Sequence, residues 1–252
     1  MNDHFRLDGK VAVITGATGT MGSDFSRTLA AAGASVVLVS RTESNLQDLA
    51  TEIAAAGGQA AYVACDLTDR SQLSGLAAKA LAAFGGCDIV VHNAIVNPPN
   101  SDLLTTSDES WASAFDTIVW GALELCKGLQ PSMVERGGGS IISVISSTGI
   151  NPTPGFAAYG MAKGTLLLLT KYMAKEWGPF NIRANCLNPG SIAAPGREEV
   201  IQAMTEKLGI AERISLRRVG RQSEVLDTAL FLASDASSYI SGQVFNIDGG
   251  RI

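Results

Sequence analysis

A tyrosine stands four positions before a lysine where an apolar run begins: Tyr159 and Lys163 in GFAAYGMAKGTLLLLT. If the run is helical, the two side chains share one face about a turn apart. A lysine beside leucines can be surface decoration, or it can be an ammonium placed to change the acidity of a phenol. An ordinary phenol titrates near pH ~10, and a cation ~5 Å away at an effective dielectric of ~20 contributes ~3 kcal/mol, or ~2 pK units. A second constellation lies near the start of the chain. VAVITGATGTMGSDF sets Gly16, Gly19 and Gly22 between a strand-like run and a helical one. Glycines there let the backbone turn sharply and approach a pyrophosphate, whose charge meets free helix-terminal N–H groups. The alternative is a glycine-rich turn that binds nothing, and the three-and-three spacing differs from G-x-G-x-x-G.

Both constellations need a scaffold. Short β-branched runs, KVAVIT, SVVLVS, AAYVAC, CDIVVHN, GSIISVIS, NIRANCLN and QVFNID, read as strands that are mostly apolar on both faces. Between them Met21, Phe25 and Leu29 keep helical spacing, as do Leu46, Leu49 and Ile53, and Leu73, Leu76, Ala80 and Phe84. Strands alternating with helices imply parallel pairing and helices on both sheet faces. The expectation is α/β: a single doubly wound Rossmann-type domain over 1–252, with a sheet of about seven parallel strands. Gly- and Pro-rich patches at 97–99, 137–139, 151–155 and 188–196 mark loops.

Composition narrows the partners. A net charge of −5 and a pI near 5.1 give no footprint for nucleic acid or an anionic membrane. No apolar run approaches the ~18 residues that span a bilayer. The start, MNDHFRLDGK, shows no signal-peptide pattern. Cys65, Cys87, Cys126 and Cys186 are scattered, without a CxxC pair or a His-rich partner, so no metal site is expected. A reducing, cytoplasmic setting follows as an expectation.

Residues at strand ends select the coenzyme. The second strand closes on Ser40 and Arg41, with no acid before Glu43. A guanidinium clamps a 2′-phosphate that a carboxylate would repel, so NADP(H) is favoured and NAD(H) remains possible. Asp66 in CDLTD would bond the adenine amino group, or else form an Asx turn. Asn93 in HNA ends the fourth strand, at the sheet edge where ligands sit.

With the glycine loop, HNA, VISSTG, YGMAK and NPG in this order, the chain resembles the short-chain dehydrogenase/reductase family from Leu7 to Gly250, including 3-oxoacyl-[acyl-carrier-protein] reductase-like members. The resemblance implies a catalytic Ser146, Tyr159 and Lys163, with Ser147 the neighbouring alternative for the serine. Tyr159 would give a proton to a ketone oxygen as hydride arrives, its pKa lowered by Lys163 with the aid of the oxidised nicotinamide ring. The implied coenzyme set is Gly16, Thr18, Gly19, Thr20, Met21, Gly22, Ser40, Arg41, Asp66, Leu67, Asn93, Ala94, Tyr159, Lys163, Pro189, Gly190 and Ile192. The Ile192 backbone would meet the nicotinamide carboxamide. The chain departs from the family pattern at Thr20 and Ile95, where glycine is usual, at Ala194, where threonine is frequent, and at Ile118, where many members carry Asn. Trp111, Phe115, Ile118, Ala122, Leu125 and Leu129 form a regular apolar stripe, so Ile118 reads as core. Substrate contacts fall on Ser146, Ile95, Val96, Ile150 and Phe156, with a substrate loop at about 191–215. They imply a ketone or secondary alcohol of limited charge. A homotetramer is implied, packed through helices around 111–135 and 157–177.

Overall fold

The computed structural model describes residues 3–96, 99–194, 196–207 and 209–251. The first half runs β1 (Val11–Thr15), α1 (Thr20–Ala31), β2 (Ser35–Ser40), α2 (Glu43–Ala55), β3 (Gln59–Ala64), α3 (Arg70–Phe84) and β4 (Ile89–His92). Then come α4 (Asp108–Phe115), a π-helical turn (Asp116–Trp120), α5 (Gly121–Glu135), β5 (Gly139–Val144) and α6 (Ala157–Trp177). The chain closes with β6 (Ile182–Pro189), β7 (Ile192–Ala193), α7 (Glu198–Lys207), β8 (Gly220–Arg221), α8 (Gln222–Ala233) and β9 (Val244–Ile247).

Seven strands form one parallel sheet in the order β3-β2-β1-β4-β5-β6-β9. Alternation decides which helices each strand meets. Ala12, Ile14, Val36, Leu38 and Val91 point to the face covered by α1, α2 and α8, where Phe25, Leu29, Leu46, Ile53 and Leu232 are buried. Val11, Val13, Val37, Val39 and Val90 point to the other face, against Leu73, Leu76, Leu125, Leu129 and Met133 of α3 and α5. Each fully buried aliphatic side chain stabilises the fold by roughly 1.5–3 kcal/mol relative to exposure. The doubly wound architecture expected from the sequence is the one found.

One local reading differs: AAYVAC is not apolar on both faces, because β3 is an edge strand whose residues are exposed or half-exposed. The helical stretch expected around 111–135 contains the π-helical turn, where Gly121 N–H donates to the Asp116 carbonyl. The segment 191–215 holds β7, which pairs with β8, and α7. Pro195 and Leu208 of that segment, and Asn97 and Pro98 of the expected pocket, lie outside the described residues.

The strand order reverses between β1 and β4, opening a crevice at their carboxyl ends. The opposite edge is closed there by buried Asp88, which accepts from Val11 N–H at 2.8 Å and pairs with Arg136 at 2.8 Å.

Candidate active site

The glycine turn fills one side of the crevice. Gly16 has φ +63°, and a Cβ there would come 2.8 Å from Ala94 Cα. A Cβ on Gly22 would come 2.0 Å from the Gly16 carbonyl oxygen. The loop is therefore pressed onto its own helix and onto residues 93 and 94. Helix α1 starts after Gly19 with no capping side chain and no acid in its first turn, leaving N–H groups for an anion. Buried Gln222, from α8, donates to the Thr20 carbonyl at 2.9 Å and steadies the loop from behind.

A cavity of about 440 Å³ runs along this crevice. Its wall takes Gly16, Thr18, Gly19, Thr20 and Met21 from the loop, Ser40 and Arg41 from the end of β2, and Asp66 and Leu67 from the end of β3. Asn93, Ala94, Ile95 and Val96 complete it after β4. Val39, Cys65, Thr68 and Thr117 also line it. The sequence reading missed them; the first three sit beside expected strand-end positions, while Thr117 arrives only through the π-helical turn. Thr18 and Ser40 hydroxyls meet at 2.7 Å next to Arg41. Asp66 Oδ1 accepts from Thr68 N–H at 2.9 Å and from its hydroxyl at 2.8 Å, the Asx turn weighed above, yet the residue still faces the cavity. Gly22 lies behind the loop, and its part is to let the loop close. Tyr159, Lys163, Pro189, Gly190 and Ile192 are off this wall. Pro189 pairs with Ile247, a Cβ on Gly190 would meet Asp248 Cα at 2.7 Å, and Ile192 pairs with Gly220.

Ser146, Tyr159 and Lys163 are brought together by glycine contacts. Ser146 follows β5, and its Oγ accepts from Thr148 N–H at 3.3 Å, starting a 3-10 turn at Ser147–Gly149. That turn seats directly on α6. A Cβ on Gly149 would lie 2.7 Å from Gly164 N, and one on Gly160 would lie 2.8 Å from the Thr148 carbonyl oxygen. Tyr159, on the first turn of α6, is half-buried, whereas Lys163 is fully buried. Lys163 Nζ lies 5.8 Å from the Tyr159 ring centroid and donates to the Val144 carbonyl at 2.5 Å.

Burial governs both acidities in the chain alone. Burial raises the Tyr159 phenol above its usual value, and the Ser146 hydrogen bond only partly opposes it. Burial pulls Lys163 down to about 7, with Cys186 opposing. The acidification expected of Lys163 together with the oxidised nicotinamide ring belongs to the coenzyme complex. The ammonium is itself costly to bury and is turned toward Val144, so desolvation dominates the phenol. The protonated phenol is the form that can donate to a developing oxyanion.

Ile118 is wholly buried, packed with Ala114, Ala122, Ile145 and Ala162, as its place in the apolar stripe implied. Ile118→Asn is expected to destabilise the fold by about 2–4 kcal/mol, by opening a void and burying an amide in an apolar cluster. Denaturant unfolding checks this, and an unchanged midpoint would mean that the cluster admits water. Ile95, Ile150 and Phe156 are exposed and Val96 is half-exposed. Phe156 shares a small depression with Tyr159 and bridges to Ser101.

A parallel sheet open at its switch point, with a glycine turn against a helix N-terminus, defines a dinucleotide-binding protein. Comparison with known proteins makes that class specific. Residues 16–251 match the family described as enoyl-(acyl carrier protein) reductase. An uncharacterized oxidoreductase of Mycobacterium tuberculosis is 40% identical over 98% of this chain and 94% of its own. A 7α-hydroxysteroid dehydrogenase solved with NADH and 7-oxo glycochenodeoxycholic acid superposes with a TM-score of 0.91, at 33% identity over 100% of this chain and 98% of its own. A gluconate 5-dehydrogenase from Burkholderia cenocepacia, solved with NADP and tartrate, gives 0.89 at 31% identity, over 98% and 97%. The chain belongs to the short-chain dehydrogenase/reductase family and is an NAD(P)-dependent oxidoreductase. Among the described residues no cluster of His, Cys, Asp or Glu is arranged for a metal, and no helix is long and apolar enough to cross a membrane.

Proposed function

We propose that the chain interconverts a ketone and a secondary alcohol of limited charge, preferring NADP(H), with Tyr159 exchanging the proton. The observation that supports this reading is the turn at Ser147–Gly149 seated on α6, which holds Ser146 beside Tyr159, one helical turn before Lys163. The residues present fit a dinucleotide: Gly16 and Gly22 make a cradle that side chains would fill, and the α1 N-terminus faces it. Gly16, Thr18, Gly19, Thr20 and Met21 would hold the pyrophosphate side. Ser40 and Arg41 would hold the adenosine ribose, Asp66 and Leu67 the adenine, and Asn93, Ala94, Pro189, Gly190 and Ile192 the nicotinamide side. Bound nicotinamide supplies or accepts the hydride. Ser146 orients the carbonyl oxygen, Tyr159 delivers its phenolic proton there, and Lys163 turns its ammonium from Val144 toward the ribose hydroxyls. Ile95, Val96, Ile150 and Phe156 give the substrate an apolar rim.

Initial rates of NADPH oxidation over a panel of neutral and carboxylated ketones test this reading. Turnover that favours neutral ketones supports it. Coenzyme binding without turnover on any ketone would favour a structural or regulatory NADP-binding protein, a reading that the Ala194 and Ile118 departures support. A carrier-linked β-ketoacyl thioester belongs on the panel because of the family description matched above.

Arg41 sets the coenzyme preference beside the Thr18–Ser40 hydroxyl pair. Arg41→Asp is expected to raise KM for NADPH at least about tenfold, from the loss of one charge-assisted contact, and to change KM for NADH far less. An unaltered NADPH-to-NADH ratio would remove Arg41 from the assignment. Exposed Met161, Leu168 and Tyr172 on α6, with Trp120 at the π-helical turn, would be covered in a homotetramer, which light scattering would detect. Four buried, unpaired cysteines suit a cytoplasmic setting.

A further inference from the structure

His92 closes β4 at full burial, yet the proton-transfer reading gives it no task. Its two ring nitrogens are both committed. Nε2 lies 3.1 Å from the Ile118 carbonyl oxygen, within the π-helical turn, and Nδ1 lies 3.0 Å from Thr15 Oγ1. A carbonyl can only accept, so Nε2 carries the hydrogen. Burial and the nearby Lys163 charge hold the ring neutral, pushing it down to about 3. Nδ1 must then accept from the Thr15 hydroxyl. Thr15 Oγ1 in turn accepts from Asn93 N–H at 3.2 Å and Ala94 N–H at 3.1 Å. Every polar group in the chain Ala94–Thr15–His92–Ile118 is paired, so His92 has no nitrogen left to relay a proton.

The two ends of this chain serve different parts of the site. Asn93 and Ala94 form the floor of the coenzyme cavity. The π-helical turn carries Ile118 and Val119 into the cluster with Ile145, Ala158 and Ala162, the wall behind Tyr159 and Lys163. On the outside of the same turn exposed Arg70 lies 3.0 Å from Asp116 and 4.9 Å over the Trp120 ring. Exposed pairs of this kind contribute little. We infer that His92 is a positioning residue that ties the coenzyme floor to the wall behind Lys163, with one ring nitrogen committed to each. This division of labour rests on the oxidoreductase reading above.

Glutamine places its amide near an imidazole Nε2, and asparagine places its amide near Nδ1, so the two variants cut the tie at opposite ends. His92→Gln retains the donor to Ile118 and releases Thr15. Its expected phenotype is a Kd for NADPH, read by fluorescence, weakened about five- to tenfold, the span of one lost hydrogen bond. Its kcat stays within about twofold of the parent, and amide hydrogen exchange at 116–122 does not change. His92→Asn keeps Thr15 and releases Ile118. Here Kd stays within about twofold, exchange at 116–122 accelerates, and kcat falls about tenfold, again one hydrogen bond. Thr15→Val cuts the same end and also removes the acceptor of Asn93 and Ala94 N–H, so its Kd weakens at least as much while exchange at 116–122 stays unchanged. Matching effects of the glutamine and asparagine variants on Kd and exchange would overturn the inference, as would no effect of either or accelerated exchange at 116–122 in Thr15→Val. Kd and exchange are read without turnover. If the parent enzyme reduces no ketone, the oxidoreductase reading fails while these two measurements still decide the role of His92.

Discussion

Tyr159→Phe is expected to lower ketone turnover by about a thousandfold while leaving the Kd for NADPH within about twofold. The size follows from what one hydroxyl does. A positioned proton donor typically contributes 10²–10⁴-fold, and phenylalanine keeps the ring while removing only the donor. The ring packs against the cluster of Ala158, Ala162 and Ile118, so its volume must be kept for the comparison to be clean. The raised phenol pKa gives the pH dependence its sign. In the reductive direction the protonated phenol is the working form, so turnover holds through neutral pH and declines only as the phenol ionises at alkaline pH. In the oxidative direction the phenolate is required, and turnover climbs with pH. Steady-state rates in both directions, for parent and variant, check the two limbs. A phenylalanine variant that retains the parental rate would sink the role of Tyr159.

The parts of this site that sequence spacing revealed are those that local geometry controls. Gly16 and Gly22 stand in a short strand–helix turn, and Tyr159 and Lys163 stand one turn apart on α6. Each pair is positioned by backbone regularity within a few residues. What the sequence concealed is held by distant partners. The apolar stripe from Trp111 to Leu129 reads as unbroken helix, and nothing within it announces the π-helical turn, whose Ile118 carbonyl is taken by His92, 26 positions away. Gln222 reaches the glycine loop across 202 positions. The exposure of β3 depends on its being last in the sheet, which is topology and not pattern. The acidity of Tyr159 without coenzyme is set by the fold for a related reason. Spacing gave a neighbouring cation, but the energy of that cation depends on how deeply the folded chain buries it.

Lys163 shows what that burial costs. Its pKa falls to about 7 in the folded chain, from 10.5 for an ordinary lysine. Between these values the unfolded chain binds more protons than the folded one, so folding stability rises with pH from about 7 to about 10.5 and is independent of this group below that window. The charged form therefore weakens the coenzyme-free protein at neutral pH by a few kcal/mol. Methionine matches the lysine stem in length and carries no charge. Lys163→Met gives up the donor to Val144, a loss of about 1–3 kcal/mol, but removes the larger penalty. The variant is expected to melt about 3–8 °C above the parent at pH 7, a net gain of about 1–3 kcal/mol spread over a chain of this size. The parent's melting temperature climbs between pH 7 and 9, and the variant lacks that climb. Its turnover falls by about a hundredfold or more, because the ribose hydroxyls and the phenol lose their cation. Thermal melts of the coenzyme-free proteins from pH 6 to 10, set beside ketone reduction rates, read both effects. A variant less stable than the parent at pH 7 would show that the fold already compensates the ammonium. The predicted combination of higher stability and lost turnover would mark Lys163 as a charge kept for chemistry at the expense of the fold.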